Sequence, residues 1–343
     1  MAFLTRYGTQ YGQRTIRHGR VIYVSPTAQY SGIVSNITGA GGTSGTFGAS
    51  DNNDGLSPER AVRTVTYAVN TLAQTGDTVV LLPGTHTTTA VLAPRAGVAI
   101  FGSGAGGGEG RGNPYVTETI LTTSGSNHLF NIAANNIEIG YLQLRPITAF
   151  STIAAFTGAA GGSISAASST VGTNITGFYM HDFYIDLVTP AISLLTAGID
   201  LAKRNAQAGE NYATSAATFY GFVENGTIWS GGAQGPGIRT ATAALHVRNV
   251  RFHNVDGAWA SPFCVATNTD GTVIDSCIFT SSGTMSVCIE GKASRLFDAV
   301  TIVNCRFPRV GQVALPVDNF QVTAGANVIE NYIGGSGTVV ALS

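Results

Sequence analysis

Side chains of the kinds that perform acid–base catalysis gather in one stretch of the chain. They are His181, Asp182, Asp186, Asp200, Lys203 and Arg204. A polysaccharide lyase or glycosidase works with two or three carboxylates, or with carboxylates and Lys or Arg, held close together. Asp side chains also cap turns very commonly, and no compact acidic cluster is evident. We therefore predict no catalytic residues; an enzyme would use Asp182, Asp186 and Asp200.

A second polar group, "SDNNDG" at residues 50–55, is similar to a calcium-binding loop. Such a loop needs oxygen ligands at alternate positions before its glycine. Asp51, Asn53 and Asp54 precede Gly55 with one residue too few. Asp and Asn side chains that cap the backbone of a turn explain the same residues, so we predict a turn and no metal.

Four aromatic side chains could stack on sugar rings: Tyr179, Tyr184, Trp229 and Trp259. Trp and Tyr are equally suited to a half-buried position or to a protein interface. The sequence favours a half-buried or interface position for these residues and leaves sugar stacking open.

The first fifty residues form a basic region that contains no acidic residue. Its Arg and Tyr side chains are Arg6, Tyr7, Tyr11, Arg14, Arg17 and Arg20, among others. Tyr and Arg are enriched at protein interfaces, so we predict an arm that docks on another protein. A solvated tail is the alternative.

Cysteine usage gives no sign of a metal or redox site. Cys264, Cys277, Cys288 and Cys305 lie in the last quarter of the chain without a CxxC motif or a nearby His at ligand spacing. Buried, reduced thiols are the expected state, and no cofactor is predicted.

The segment after the acidic turn predicts a helix followed by a buried strand. Ser57 is suited to cap a helix, Pro58 to its first turn, and apolar residues recur at helical spacing until Gly76. These apolar residues are Val62, Val65, Ala68, Val69 and Leu72. We expect the helix over about 58–74 and the strand from Thr78 to Leu82.

Beyond Gly84 the sequence consists of similar short units, each with two apolar positions, a polar turn and another apolar position. They span 135–146, 175–186, 220–230, 245–255, 272–282, 300–310 and 327–337. The later units recur at roughly 22 to 28 residues, which is typical of a β-solenoid. Cys277 and Cys305 occupy equivalent places in consecutive units, so we expect both to point inward.

The order of acidic turn, helix, "GDTVVLLPGTH" and repeats resembles the pectate-lyase-like parallel β-helix proteins. This resemblance implies a single-stranded right-handed parallel β-helix (β-solenoid), an all-β fold with an N-terminal capping helix and arm. The expected organisation is an arm and lead-in over 1–49 and a β-helix domain over 50–343. The basic start, without the apolar segment of a signal peptide, is most similar to virion proteins of tailed bacteriophages, which are usually homotrimers.

The resemblance implies a non-enzymatic virion structural protein, most simply a trimeric capsid decoration or cement protein made in the host cytoplasm. Its partners would be copies of itself and other virion proteins such as the major capsid protein. A tail spike or fibre that binds host glycan, and a polysaccharide lyase or hydrolase, remain alternatives. Net charge of −1 and the lack of a long apolar segment argue against nucleic-acid and membrane partners. Charged residues make up only 11% of the chain, which favours an oligomer.

Overall fold

The computed structural model describes sixteen segments of the chain. They are 19–27, 48–104, 118–123, 129–146, 164–165, 175–187, 198–201, 219–230, 237–240, 243–254, 265–267, 272–281, 285–291, 301–306, 313–318 and 328–330. Strands dominate these segments, and the helical residues are few: a 3₁₀ turn at Pro58–Arg60 and one short helix made of an α-turn, Val65–Tyr67, and a π-turn, Ala68–Leu72.

The strands in chain order are β1 (Val21–Val24), β2 (Thr78–Leu81), β3 (Gly84–Thr88), β4 (Ala99–Phe101), β5 (Thr119–Thr123), β6 (Phe130–Asn131), β7 (Glu138–Pro146), β8 (Ile164–Ser165), β9 (Ile175–Asp186), β10 (Ile199–Leu201), β11 (Phe219–Ser230), β12 (Ile238–Thr240), β13 (Ala243–Asn254), β14 (Val265–Thr267), β15 (Val273–Asp275), β16 (Ile278–Ser281), β17 (Met285–Gly291), β18 (Thr301–Val303), β19 (Val313–Asp318) and β20 (Val328–Glu330).

The strands form parallel sheets in which spatial order follows chain order. The main path of a thirteen-stranded sheet runs β1-β2-β4-β7-β9-β11-β13-β15-β18-β20, and a five-stranded sheet runs β10-β12-β14-β17-β19. From β9 onward the chain alternates between these two sheets. The all-β class is confirmed, and the alternation is consistent with a β-helix-like fold.

The predicted repeats are confirmed as neighbouring parallel strands with a fixed register. One inward row of the large sheet contains Ile22, Val79, Ile100, Ile139, Met180, Val223, Val247, Ile274 and Ile302. These side chains are at most 2% exposed. Each strand therefore covers the apolar row of the strand before it, as stacked repeats require.

In the six units from 135–146 to 300–310, the turn is a bend that lies at one register position. The bend residues have positive φ angles and are Tyr141, Asp182, Asn225, Asn249, Ser276 and Asn304. Asn and Asp tolerate this left-handed conformation better than other residues with side chains. Asn249 Nδ2 also donates a hydrogen bond of 2.8 Å to Asn225 Oδ1, which joins two successive bends.

Directly after the bend, Cys277 and Cys305 stack inside the core as the repeat assignment predicts. The pairs Asp275–Val303 and Ile278–Arg306 fix them in register. Both thiols are free and almost fully buried, and their Sγ atoms lie 3.7 and 3.6 Å from the carbonyl oxygens of Val247 and Ile274.

The predicted helix is shorter than expected, because the chain becomes extended again after Arg60. Val62 pairs with Val24 of β1 instead of continuing a helix. Ser57 makes no capping hydrogen bond, whereas Thr64 Oγ1 accepts one from the Tyr67 amide and caps the actual helix. The helix therefore begins at residue 65 and not 58, although its predicted core residues Val65 and Val69 are buried.

The acidic turn has a structural role at the first edge of the large sheet. Asp51 Oδ1 accepts hydrogen bonds from the amides of Arg63 and Thr64, and Asn53 Nδ2 donates to the Ala61 carbonyl. These bonds hold the segment 55–62 along β1, where the Tyr23 amide donates to Gly55 and the Ser25 amide to Val62. The predicted turn-capping role is confirmed, and the segment covers backbone groups that an edge strand would expose.

Candidate functional site

A cluster of titratable side chains surrounds His181 on the outer side of the large sheet. His181 follows Tyr179 on β9, and its ring Nε2 lies 3.1 Å from Glu138 Oε1 on the neighbouring β7. Its Nδ1 lies 2.8 Å from Asp182 Oδ2 at the bend. Both ring nitrogens therefore face carboxylates, which suits a protonated imidazole that donates two hydrogen bonds.

Aromatic rings enclose this imidazole on several sides. The Tyr179 ring stacks on it with centroids 4.5 Å apart, while Tyr141 meets it edge-on at 5.0 Å and Phe101 lies 6.0 Å away. Gly140 supplies the space, since a Cβ at this position would lie 2.6 Å from His181 Cε1. The Tyr179 hydroxyl donates in turn to Glu224 on β11. The His181 cluster thus links β4, β7, β9 and β11.

Electrostatics favour the charged form of His181. Burial alone would lower its pKa, but the hydrogen bonds to Asp182 and Glu138 outweigh burial and raise the pKa above its ordinary value. The His181 side chain is only 5% exposed, whereas that of Asp182 is 35% exposed. The cluster can hold a proton between two carboxylates, and Asp182 is the more exposed of the two, at 35% against 12% for Glu138.

The residues named for a possible enzyme do not converge on this cluster. Asp182 belongs to it, but Asp186 pairs with Arg145, whose Nε lies 3.1 Å from Asp186 Oδ2. Asp200 lies on β10 in the other sheet, where it is in register with Arg239. Lys203 and Arg204 lie outside the described residues.

Sequence reasoning did not identify Glu138, Tyr179 and Glu224 as members of one cluster. It assigned no role to Glu138 and considered Tyr179 for sugar stacking or for a half-buried or interface position. Aligning the apolar residues Ile137 and Ile139 with Phe178 and Met180 would have placed Glu138 opposite Tyr179, and both on the outer face. Predicting the contact between Tyr179 and Glu224 would also have required the register of a third strand, β11.

Two of the aromatic side chains considered for sugar stacking lie on the outer side beyond the bend. Tyr184 and Trp229 meet edge to face at 6.1 Å, and Trp229 meets His253 in the same way at 5.1 Å. Tyr184 is only 7% exposed, so its face is not available as a stacking platform. Trp259 lies outside the described residues.

A small cleft lies between the start of the helix and β3. Its lining includes Arg63, Thr64, Thr85 and His86, and its volume is about 160 Å³. Ligand sites usually enclose roughly 300–1,000 Å³, so this cleft is too small for a typical organic ligand. His86 Nε2 donates to the Leu82 carbonyl over 2.7 Å, and burial lowers the pKa of His86.

Within the segments that the structure describes, no three His, Cys, Asp or Glu side chains are arranged to hold a metal ion. None of their helices has the length and apolar character that crossing a membrane requires.

The predicted docking arm lies mostly outside the described residues, which exclude Arg6, Tyr7, Tyr11, Arg14 and Arg17. Arg20 is described and belongs to the fold. Its guanidinium donates to Asp77 Oδ2 and to the Leu72 carbonyl at 2.8 and 2.9 Å. Burial would raise the pKa of Asp77, but hydrogen bonds from the Gln74 amide and from Arg20 lower it. Arg20 thus ties β1 to the end of the helix.

Comparison of the chain with protein-family models, with curated proteins and with solved structures gives no match.

Proposed function

We propose that this chain is a non-enzymatic structural protein of a bacteriophage virion. It folds as a right-handed parallel β-solenoid and assembles as a homotrimer that decorates the capsid and cements it. One observation carries the proposal: the carboxylates on the outer side of the long strands are bound to side chains of their own or neighbouring strands.

These bonds connect one strand to the next. Glu138 reaches His181, Glu224 accepts from Tyr179, and Asp186 pairs with Arg145. A catalytic carboxylate must reach substrate and exchange protons with it. Carboxylates that hold the stack together support a scaffold better than a hydrolytic centre.

Location on a virion is supported by the basic start of the chain, which resembles that of phage virion proteins. The resemblance of 50–84 to the start of pectate-lyase-like β-helix proteins supports the fold. Three basic, Tyr-bearing arms of a trimer would bind an acidic capsid surface with avidity, each arm being weak alone.

Purified particles of the virus that encodes the chain provide the test. Mass spectrometry of gradient-purified particles should detect the chain in a multiple of three copies per attachment site, and cryo-electron microscopy should place it on the capsid. A chain that is abundant in infected cells and absent from particles would contradict the proposal.

A polysaccharide-binding or polysaccharide-degrading wall is the second candidate function, and the His181 cluster is the observation that favours it. Release of reducing or unsaturated ends from capsular polysaccharide or lipopolysaccharide would support it if Asp182→Ala abolished that release. Asp275→Asn is the matched control, because Asp275 lies in the same outer row as His181 but three strands away. We expect no product from the wild-type chain.

A further inference from the structure

Cys277 and Cys305 lie directly opposite each other on two neighbouring units of the stack. The register pairs on either side of them fix this position. The Arg306 amide also donates a hydrogen bond of 2.8 Å to the Cys277 carbonyl, so the two backbones run side by side at the cysteines. Neighbouring strands lie about 4.8 Å apart, which is within the roughly 4.4–6.8 Å between Cα atoms that a disulfide spans.

Both side chains point into the core from the same face of the large sheet. Cys277 is fully buried, and Cys305 is only 2% exposed. The two sulfur atoms are close enough for a hydrogen bond between them to affect the pKa of both thiols. The reduced pair therefore already has the arrangement from which a disulfide forms.

The two thiols differ in how readily they ionise. The hydrogen bond from Cys277 lowers the pKa of Cys305 below its ordinary value. Burial, followed by the interaction with Cys305, raises the pKa of Cys277. Since the thiolate and not the thiol attacks an oxidant, Cys305 is the residue that reacts first and Cys277 the one that completes the bond.

We infer that Cys277 and Cys305 form a redox-active pair whose oxidation joins two successive units of the stack covalently. The oxidant is a peroxide, because hydrogen peroxide is small enough to enter a buried site. The Cys305 thiolate attacks one peroxide oxygen and breaks the O–O bond, which gives a sulfenic acid and, with one proton, water. The Cys277 sulfur then displaces the sulfenic hydroxyl as a second water. Two thiols and one hydrogen peroxide thus yield one disulfide and two waters, and two electrons pass from the sulfur atoms to the peroxide.

The disulfide stabilises the stack by restricting the unfolded chain, since positions 277 and 305 are 28 residues apart. Burial makes the oxidation slow, and for the same reason thiol reductants reach the disulfide slowly. The pair is therefore a lasting cross-link between units and not a rapid sensor. This inference does not depend on the proposed function.

The full-length chain, purified under reducing conditions and then treated with hydrogen peroxide, provides the test. Alkylation in denaturant followed by intact-mass spectrometry should show four reactive thiols before treatment and two after it. Peptide mapping should find Cys277 linked to Cys305, and the melting temperature should rise by at least about 3 °C. Cys288→Ala is the matched control, because it removes a buried cysteine of β17 and should leave both the disulfide and the rise in place. Cys277→Ala should abolish both.

If Cys277→Ala does not fold, Cys277→Ser replaces it, since a hydroxyl can donate to the carbonyl oxygens of Asp275 and Val247 that the thiol contacts. Three outcomes would overturn the inference. They are four reactive thiols after peroxide treatment, a disulfide that contains Cys264 or Cys288 instead, and a disulfide between Cys277 and Cys305 that leaves the melting temperature unchanged.

Discussion

Single residues, most of them polar, determine where the long strands of the large sheet bend. Five of the six stacked bend positions hold Asp, Asn or Ser, and the left-handed backbone at each one redirects the chain within a strand. Asn249 adds a side-chain hydrogen bond to Asn225 one strand earlier. The bends therefore stabilise both the conformation of each unit and the register between units.

Two substitutions of Asn249 separate these contributions. Asn249→Ala removes the hydrogen bond and places a less tolerant residue at φ 50°, so we expect a loss of about 1–2 kcal/mol in the free energy of unfolding. Asn249→Gly removes the same hydrogen bond but accepts the positive φ, and its loss should be smaller. Urea unfolding followed by circular dichroism measures the free energy of unfolding of both variants. A larger loss in Asn249→Gly would show that the positive φ of Asn249 is not the main source of its effect on stability.

His181 contributes a pH-dependent stabilisation. Because its folded-state pKa is raised, the stabilisation is complete below the unfolded pKa of about 6.5 and disappears as the pH rises through the folded value. His181→Gln should therefore lose about 1–3 kcal/mol at pH 6 and less at pH 9.

Thermal unfolding at pH 6 and pH 9 checks this expectation for His181, and His246→Gln is the control. Burial lowers the pKa of His246, so its stabilisation should not increase at low pH. Equal losses at the two pH values for His181→Gln would show that the imidazolium has no special role.

At the scale of elements, the first described residues of the predicted arm and lead-in belong to the large sheet. The predicted arm and lead-in contain β1, which pairs with β2, and the acidic turn covers the outer edge of β1. The four-residue run "VIYV" is typical of a strand, but it lies within the basic region that is predicted as an arm and lead-in. The helix was placed too early because Ser57 and Pro58 begin only a 3₁₀ turn.

The short helix closes one part of the core, and its apolar face can be tested directly. Val65 is 1% exposed and belongs to the core cluster, so Val65→Asp should bury an unpaired carboxylate. We expect a loss of several kcal/mol, on the order of 3–5, with unfolding or aggregation. Thr71→Asp, at an exposed position of the same helix, should change stability by less than about 0.5 kcal/mol. A soluble Val65→Asp variant with unchanged melting would show that the helix does not close the core.

At the scale of the whole molecule, the repeats were predictable because apolar alternation and polar bends recur in every unit. The side-chain contacts between stacked strands were not predictable, because they join residues that are far apart in the sequence. Gly226 is an example: a Cβ there would lie 2.2 Å from Phe183 Cζ, so the glycine admits a phenylalanine from 43 residues earlier. The five-stranded sheet was likewise missed, because several of its strands are only three residues long.

The arm is the feature that would connect the proposed homotrimer to a virion. With Arg20 engaged in the fold, the arm retains Arg6, Arg14 and Arg17, which a trimer would present as nine arginines at one end. Deleting residues 1–18 should leave a folded trimer that no longer binds particles, and wild-type binding should weaken as salt rises. Arg20→Gln is the complementary control, because it should lower the melting temperature and leave binding at low temperature unchanged. Full occupancy on particles by the truncated chain, measured by cosedimentation, would rule out docking through the arm.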